Sequence, residues 1–481
     1  MQVFIYLFAF SFFLEVYQLF GVGSTGFTFS DAITLSMFFY FIKYAIWDGK
    51  EIKVAKNPAI LFLFSFYAIT FVSGFAPILR GSQGEISQFL KSTAHYHFSL
   101  LFLTINILVN NKNETWDKFI KIWLVLSIII NAFGIYQIIA RGLGLPLAWL
   151  DIGNYSYLSR GMYDTLDEVP QISLRFENFF RATSVFSEPS ALAAFNALIL
   201  VFLIIPYVQN HKPFLKSKFL TITALIFSIL GIFLAFSLTG LSSLGLIILA
   251  IIVFEKFKNL GLFVKVFFVM IIFLILADQV VASYAGISVL ELFYKRVDGV
   301  VNYLLTSQLS AVEGESFSGR SDNVLAMFNI FRHNPIIGTG MGLTYASPYS
   351  EGYLFADITI MAVLAETGII GFFAYFGFFV LLIVMSIKFL INRDKLINVD
   401  NNHKRLLLML FYMMLVYFVV NYLSGNQILN VFSLIMLSLI FNVINNYYIN
   451  SLNKFYSFTF VKTPLSKIFK QGIVSYVNSH K

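Results

Sequence analysis

Cysteine is absent from this sequence, which excludes disulfides, zinc–thiolate centres and cysteine nucleophiles. Charge is scarce. Only 12% of the 481 residues are Asp, Glu, Lys or Arg, against about a quarter in an ordinary soluble domain. With 58% hydrophobic residues, the apolar surface exceeds what one core can hide from water, so a soluble fold is excluded. Two other absences matter. The first residues, MQVFIYLFAFSFFLEVYQLF, have neither a basic leader nor a small-x-small cleavage site, and read as a retained first helix. No internal repeat or low-complexity segment stands out.

What the chain does have is a series of apolar runs near the ~20 residues needed to cross hydrocarbon as a helix. Twelve are expected, over about 2–20, 31–47, 58–76, 93–110, 119–140, 189–207, 219–237, 241–255, 261–281, 358–390, 405–424 and 427–449. The expected fold is therefore an all-α polytopic integral membrane protein of about twelve transmembrane helices. It has a bundle over 1–450, a basic cytoplasmic tail over 451–481, and two large extracytoplasmic loops with short helices, about 141–188 and 282–357. SLTGLSS, inside the uncharged stretch 219–254, reads as the tight turn between two spans.

A net charge of +8 does not point to nucleic acid, because the lysines lie in short loops between spans, as the positive-inside rule explains. The loops with Lys50, Lys53, Lys56, Lys112, Lys118, Lys121, Lys212, Lys216, Lys218, Lys256, Lys258, Arg393, Lys395, Lys404 and Arg405 alternate with the rest. They are expected in the cytoplasm together with both termini. The other side carries Arg80, Lys91, Arg141, Arg160, Arg175, Arg181, Lys295, Arg296, Arg320 and Arg332, mostly arginine. Topology does not demand that bias. Arginine is preferred where a planar fork grips phosphate or carboxylate. Singly, such arginines pair with outer acids such as Asp164, Asp167, Glu168, Glu177 and Asp298; as a set they favour anion binding.

Residues 314–371 form one of only two long polar interruptions and read as the active-site segment. Within SDNVLAMFNIF a helix is expected with Val324, Leu325, Phe328 and Phe331 on one face and Ser321 or Asp322 as N-cap. Pro335 and GTGMG end it. Arg320 would then precede the free N–H groups of that helix and share an anion site with them. GTGMG lacks the ending of a phosphate loop. Arg181 lies near the membrane boundary, with Glu188 as ion-pair partner competing against a ligand. Asp357, at the mouth of an apolar helix, reads as an N-cap on position alone, though a partly buried carboxylate there also suits a general base. Glu366 is a second intramembrane acid. His95, His97 and His333 have no metal-ligand spacing, so neither a metal nor another cofactor is expected.

Arg320 with the helix after it, NPIIGTGMG and LAETGIIGFF, together with RATSVFSEPSALAAFNAL, resemble the O-antigen ligase/polymerase family, the Wzy-type polysaccharide polymerases. The resemblance implies a glycosyltransferase of the bacterial cytoplasmic (inner) membrane. Its substrate would be an undecaprenyl-diphosphate-linked oligosaccharide, and its further partners membrane lipids and a chain-length regulator. Arg181 and Arg320, with Arg175 and Arg296, would hold the diphosphate, Glu188 and Glu366 would support them, and Asp357 would act as base. The ligases of that family carry a histidine nine residues before the LAE-type glutamate. Here that position is Asp357, which weakens the ligase alternative. A flippase for lipid-linked sugars is the other alternative, and the absence of repeat symmetry counts against it. Tyr155, Tyr157, Tyr345, Tyr349 and Tyr353 are placed to stack on sugar rings.

Overall fold

The computed structural model describes residues 1–14, 17–22, 25–76, 98, 100–150, 171, 175–176, 179–255, 314–344, 347–350, 359–424 and 431–460, with scattered positions between 268 and 302. Among these residues the elements run in the order α1 (Gln2–Ser11), β1 (Gln18–Val22), β2 (Thr25–Thr28), α2 (Phe29–Ile42), β3 (Ile52–Ala55), α3 (Pro58–Ser73) and α4 (Leu100–Val109). After them come α5 (Asn113–Leu143), β4 (Arg175–Phe176), β5 (Phe179–Phe180), α6 (Pro189–Val208), α7 (Lys218–Ala235) and α8 (Leu238–Phe254). The chain closes with α9 (Gly314–His333), α10 (Thr359–Ile391), α11 (Asn401–Phe418), α12 (Val431–Asn446) and β6 (Phe455–Phe458).

The protein is a multi-pass helical membrane protein, but the expected count of twelve spans is not reached. Seven of the described helices are long and apolar enough to cross a membrane: α2, α5, α6, α7, α10, α11 and α12, several extended by a π-helical turn. Four expected spans are shorter apolar helices, α1 (continuing to Leu14), α3, α4 and α8. The one expected over 261–281 falls almost wholly outside the described residues. The all-α class holds, with short ribbons as its only strands among the described residues. Three two-stranded antiparallel ribbons, β1–β2, β3–β6 and β4–β5, join its ends and loops. The turn between α7 and α8 is Phe236 and Ser237, with Phe236 left-handed at φ 48°. The TGLSS expected there lies inside α8, because its small residues pack against neighbouring helices.

Burial orders the bundle. The apolar windows of α6, α11 and α12 are 78%, 89% and 83% buried, which makes these helices the centre. Peripheral helices turn Leu61, Ile129, Phe219, Val253 and Phe373 outward, and each is more than 60% exposed. Large apolar side chains in that position suit lipid and not water. Inside the bundle, apolar contacts give little preference for one partner helix over lipid, so close backbones and polar pairs locate the helices. Asn131 of α5 and Asn196 of α6 exchange amide hydrogen bonds of 2.7 and 2.8 Å. Gly231 of α7 lies against both, where a Cβ would collide with their amide groups.

One end of the bundle gathers the lysine-bearing loops. The amide of Asn111 donates to Asn442 Oδ1 (2.7 Å), and Asn446 Nδ2 donates to Asn113 Oδ1 (2.9 Å). Arg393 pairs with the buried Glu255 at 2.6 Å; Glu255 also accepts from Gln209 (2.8 Å) and Tyr412 (2.9 Å). Arg405 pairs with Asp117 and donates to Lys212 O at 2.6 Å. β3 pairs with β6 in register Ile52 to Phe458, continued by Lys56 N donating to Lys454 O (3.0 Å). α1 runs parallel to α5, because Tyr6 is hydrogen-bonded to Thr115 and Trp123 Nε1 reaches Ala9 O at 3.0 Å, so residue 1 lies at this end too. The alternation of loops expected from the lysines is thus a contact pattern. The opposite end receives the C-termini of α3, α5 and α7 and the N-termini of α6, α8 and α10.

Candidate functional site

Both arginine blocks lie at that opposite end. In the first, the chain leaves the β4–β5 ribbon and crosses the ends of α5 and α7 before Pro189 opens α6. Arg181 is buried, 8% exposed, and the main chain around it is held from three directions. Ala182 N donates to Leu234 O at the end of α7 (2.8 Å). Ser184, left-handed at φ 53°, donates its hydroxyl to Ile130 O of α5 at 2.7 Å. Gln171 donates to the carbonyls of Ser184 and Phe186, each at 2.8 Å.

The centre of this block is a side chain that sequence reading counted only among the outer basic residues. Arg141, in the last turn of α5, is 8% exposed and makes donations from all three guanidinium nitrogens. Nε reaches Ala148 O (2.9 Å), Nη1 reaches Arg181 O (2.5 Å), and Nη2 reaches Gln171 Oε1 (3.1 Å) and Thr183 Oγ1 (2.7 Å). Its plane stacks on Trp149 at 4.0 Å. One turn earlier, Gln137 accepts from Thr183 and donates to Gln171, both at 3.2 Å. Sequence held one signal for this role, an arginine following nineteen uncharged helical positions and closing the helix.

Glu188 is the N-cap residue of α6, but its side chain caps no N–H, and it is not joined to Arg181 in an ion pair among the described residues. Arg175 is in β4, paired across the ribbon with Phe180. It belongs to this block through the chain.

The second block joins α9, the turn after it, and α10. α9 begins at Gly314, so Ser321 and Asp322 are interior positions and not caps, and Arg320 stands two turns inside the helix. The expected sharing of an anion between Arg320 and free helical N–H groups fails for that reason. The buried face of α9 is Asn323, Ala326, Met327 and Ile330, whereas Leu325 and Phe328 are 64% and 39% exposed. Ala326 lets α9 approach Ala362 and Ala365 of α10 closely, and Met327 and Ile330 pack beside them. Arg332 lies 4.7 Å over the Phe328 ring, and His333 stacks on Tyr349 at 3.6 Å.

α10 is not one continuous helix. It breaks at Gly368, whose φ of 65° and ψ of −169° suit glycine alone. The turn 335–340 docks into the break by four main-chain bonds. Thr339 N and Gly340 N donate to the carbonyls of Ala365 and Glu366 (both 3.0 Å), and Ile369 N and Ile370 N donate to those of Pro335 and Ile336 (2.9 and 3.5 Å). Groups that a broken helix frees inside a membrane are thus satisfied by protein. Glu366, 2% exposed, is held at this break, and Gly340 also meets the C-terminal turn of α3 at Ser73 O. Sequence reading saw the glycines of GTGMG and ETG but not that they meet.

The structure therefore joins α9, the helix that carries Arg320, to the half of α10 that carries Glu366, and brings the main chain of Arg181 to Arg141 at the ends of α5 and α7. Asp357 and Arg296 lie outside the described residues. So do Tyr155, Tyr157, Tyr345 and Tyr353. Among the described residues no three His, Asp or Glu side chains gather closely enough to hold a metal ion. No curated protein matches the chain. Residues 223–376, which run from α7 through α9 and the docked turn to the second half of α10, match the O-antigen ligase family (Wzy_C), so that a domain of this family is present over that part of the chain.

Proposed function

We propose that the protein is a polysaccharide polymerase acting at the outer face of the bacterial cytoplasmic membrane. It transfers a growing glycan from undecaprenyl diphosphate onto the next lipid-linked oligosaccharide repeat unit. The observation that carries this reading is the coincidence of the family match with the second block. Residues 223–376 include Arg296, Arg320, Asp357 and Glu366, and the described part of that stretch is built around a broken helix at the end away from the lysine-rich loops. Irregular backbone at membrane depth occurs where it is buried in protein or lines a cavity, and such places are commonly functional.

In the proposed reaction an acceptor hydroxyl attacks the anomeric carbon of the glycan. A new C–O bond forms as the bond to the diphosphate breaks, and the electron pair leaves with undecaprenyl diphosphate. Arg181 and Arg320, assisted by Arg175 and Arg296, meet the negative charge developing on the diphosphate, which stabilises the transition state more than the ground state. Asp357 takes the proton of the acceptor. Single displacement inverts the anomeric centre. Glu188 and Glu366 support the two blocks.

The protein reconstituted in vesicles with undecaprenyl-diphosphate-linked repeats tests this. A ladder of lengthened lipid-linked products is expected. The family's description also admits a ligase, which would move finished glycan only when a separate acceptor is supplied. A flippase would move labelled repeats across the bilayer without changing their length. Either outcome would replace the polymerase reading.

A further inference from the structure

We propose that Arg141 is a positioning residue for Arg181, clamping the main chain that carries it and adding beside it a positive charge that no carboxylate among the described residues neutralises. The inference rests on the reading in which Arg181 binds the substrate diphosphate.

The geometry is that of a bracket. Three nitrogens of one rigid plane reach three separate stretches of chain: Ala148 O on one side, Gln171 Oε1 on another, and Arg181 O with Thr183 Oγ1 on the third. A guanidinium has five N–H groups in a fixed fork; an ammonium has three on one atom and cannot span acceptors so far apart. Trp149 covers one face of the plane at 4.0 Å and fixes its tilt. The position also suits a cation, because Arg141 is in the last turn of α5, at the negative end of the helix.

The acceptors are all neutral. Arg141 forms no ion pair among the described residues, although it is 8% exposed. A purely structural buried arginine ordinarily sits against a carboxylate, because a buried charge without one is costly. Here the arrangement keeps its positive charge, next to the carbonyl of the residue assigned to the diphosphate. A cation retained in that way favours an anion at the same end of the bundle.

The absence of native cysteine makes a clean test possible. A single reporter, Val185→Cys, is placed four residues after Arg181, and its maleimide labelling rate is read in the full-length protein. The backgrounds are wild type, Arg141→Lys, Arg141→Gln, Arg181→Ala and the double variant Arg141→Gln with Arg181→Ala. Lipid-linked repeat elongation is measured alongside. Both Arg141 variants are expected to raise labelling about tenfold as the segment opens locally, and to slow elongation about 100-fold, the scale of a misplaced binding group. Arg181→Ala should slow elongation without raising labelling, and the double variant should lose no more than the worse single one. Should the Arg141 variants fail to insert, Thr183→Val deletes one strut of the bracket, with smaller effects on both readings. Unchanged labelling in the Arg141 variants, losses that multiply in the double variant, or full activity in Arg141→Lys would each overturn the clamp. Full elongation by Arg181→Ala would instead remove the diphosphate role of Arg181, while the labelling rates still decide whether Arg141 holds the segment.

Discussion

An arginine that grips a diphosphate differs from a lysine by its fork, and this difference gives the sharpest residue-level expectations. Arg181→Lys keeps the charge and loses bidentate donation, so elongation should fall well below wild type, though less than in Arg181→Ala. Arg320→Ala should abolish polymer while the protein still inserts, a loss of about 100- to 1000-fold if it removes one transition-state donor. Normal chain lengths in that variant would take Arg320 out of the site. Asp357→Asn should stop turnover; an unchanged rate would return Asp357 to the role of a helix cap. A different kind of residue is Gly231, lodged against the amides of Asn131 and Asn196. Gly231→Ala is expected to cost about 1–3 kcal/mol, the usual penalty of overpacking, read as a lower melting temperature in detergent. The arginines stand out in the sequence because their excess over lysine on one side has no topological cause. Arg141 was visible only as one of that set, because its partners lie at 148, 171 and 181–183, and no local pattern announces such contacts.

At the scale of elements, the most consequential piece is the broken α10 with the turn 335–340 docked into it. Gly338 (φ 72°) lies against the backbone of Glu366 and Thr367, and Gly368 (φ 65°) lies against that of Ile336, so neither position accepts a Cβ without moving main chain. Gly338→Ala and Gly368→Ala should each undock the turn. The expected results are a lower melting temperature and loss of elongation, with insertion unimpaired. A melting temperature and activity equal to wild type would show the docking to be incidental. The sequence showed both glycines, yet a glycine inside an apolar run signals only a weak helical position. That these two meet is a tertiary fact. α9 teaches the converse. Its 3.6-residue periodicity was correctly seen, but the expected face is not the buried one: Leu325 and Phe328 are exposed, and Asn323, Ala326, Met327 and Ile330 face protein. Close approach of two helices selects small residues such as Ala326, Ala362 and Ala365, which apolar periodicity alone does not mark. Its N-terminus was misplaced because GESFSG reads as a loop by composition, and the helix nevertheless extends back to Gly314.

For the whole molecule, hydropathy located nearly every described span to within a few residues, because a membrane imposes one strong length rule. The count was less secure. α1, α3, α4 and α8 have 17 residues or fewer as apolar helices, and hydropathy does not distinguish a short helix from a full span. Sidedness is where fold and function meet. The lysine-bearing loops are tied together by Glu255, Asp117, the asparagines and the β3–β6 ribbon, and the two arginine blocks sit at the other end. If the lysine end is cytoplasmic, the arginines await a lipid diphosphate on the outer face. The measurement that tests this most directly is sided thiol labelling in intact cells, with single cysteines at two exposed positions, Leu325 of α9 and Tyr456 of β6, which are 64% and 62% exposed. Leu325→Cys should react with a membrane-impermeant maleimide added from outside, and Tyr456→Cys only after the cells are permeabilised. The reverse pattern would put the arginine blocks in the cytoplasm and contradict a polymerase of the outer face.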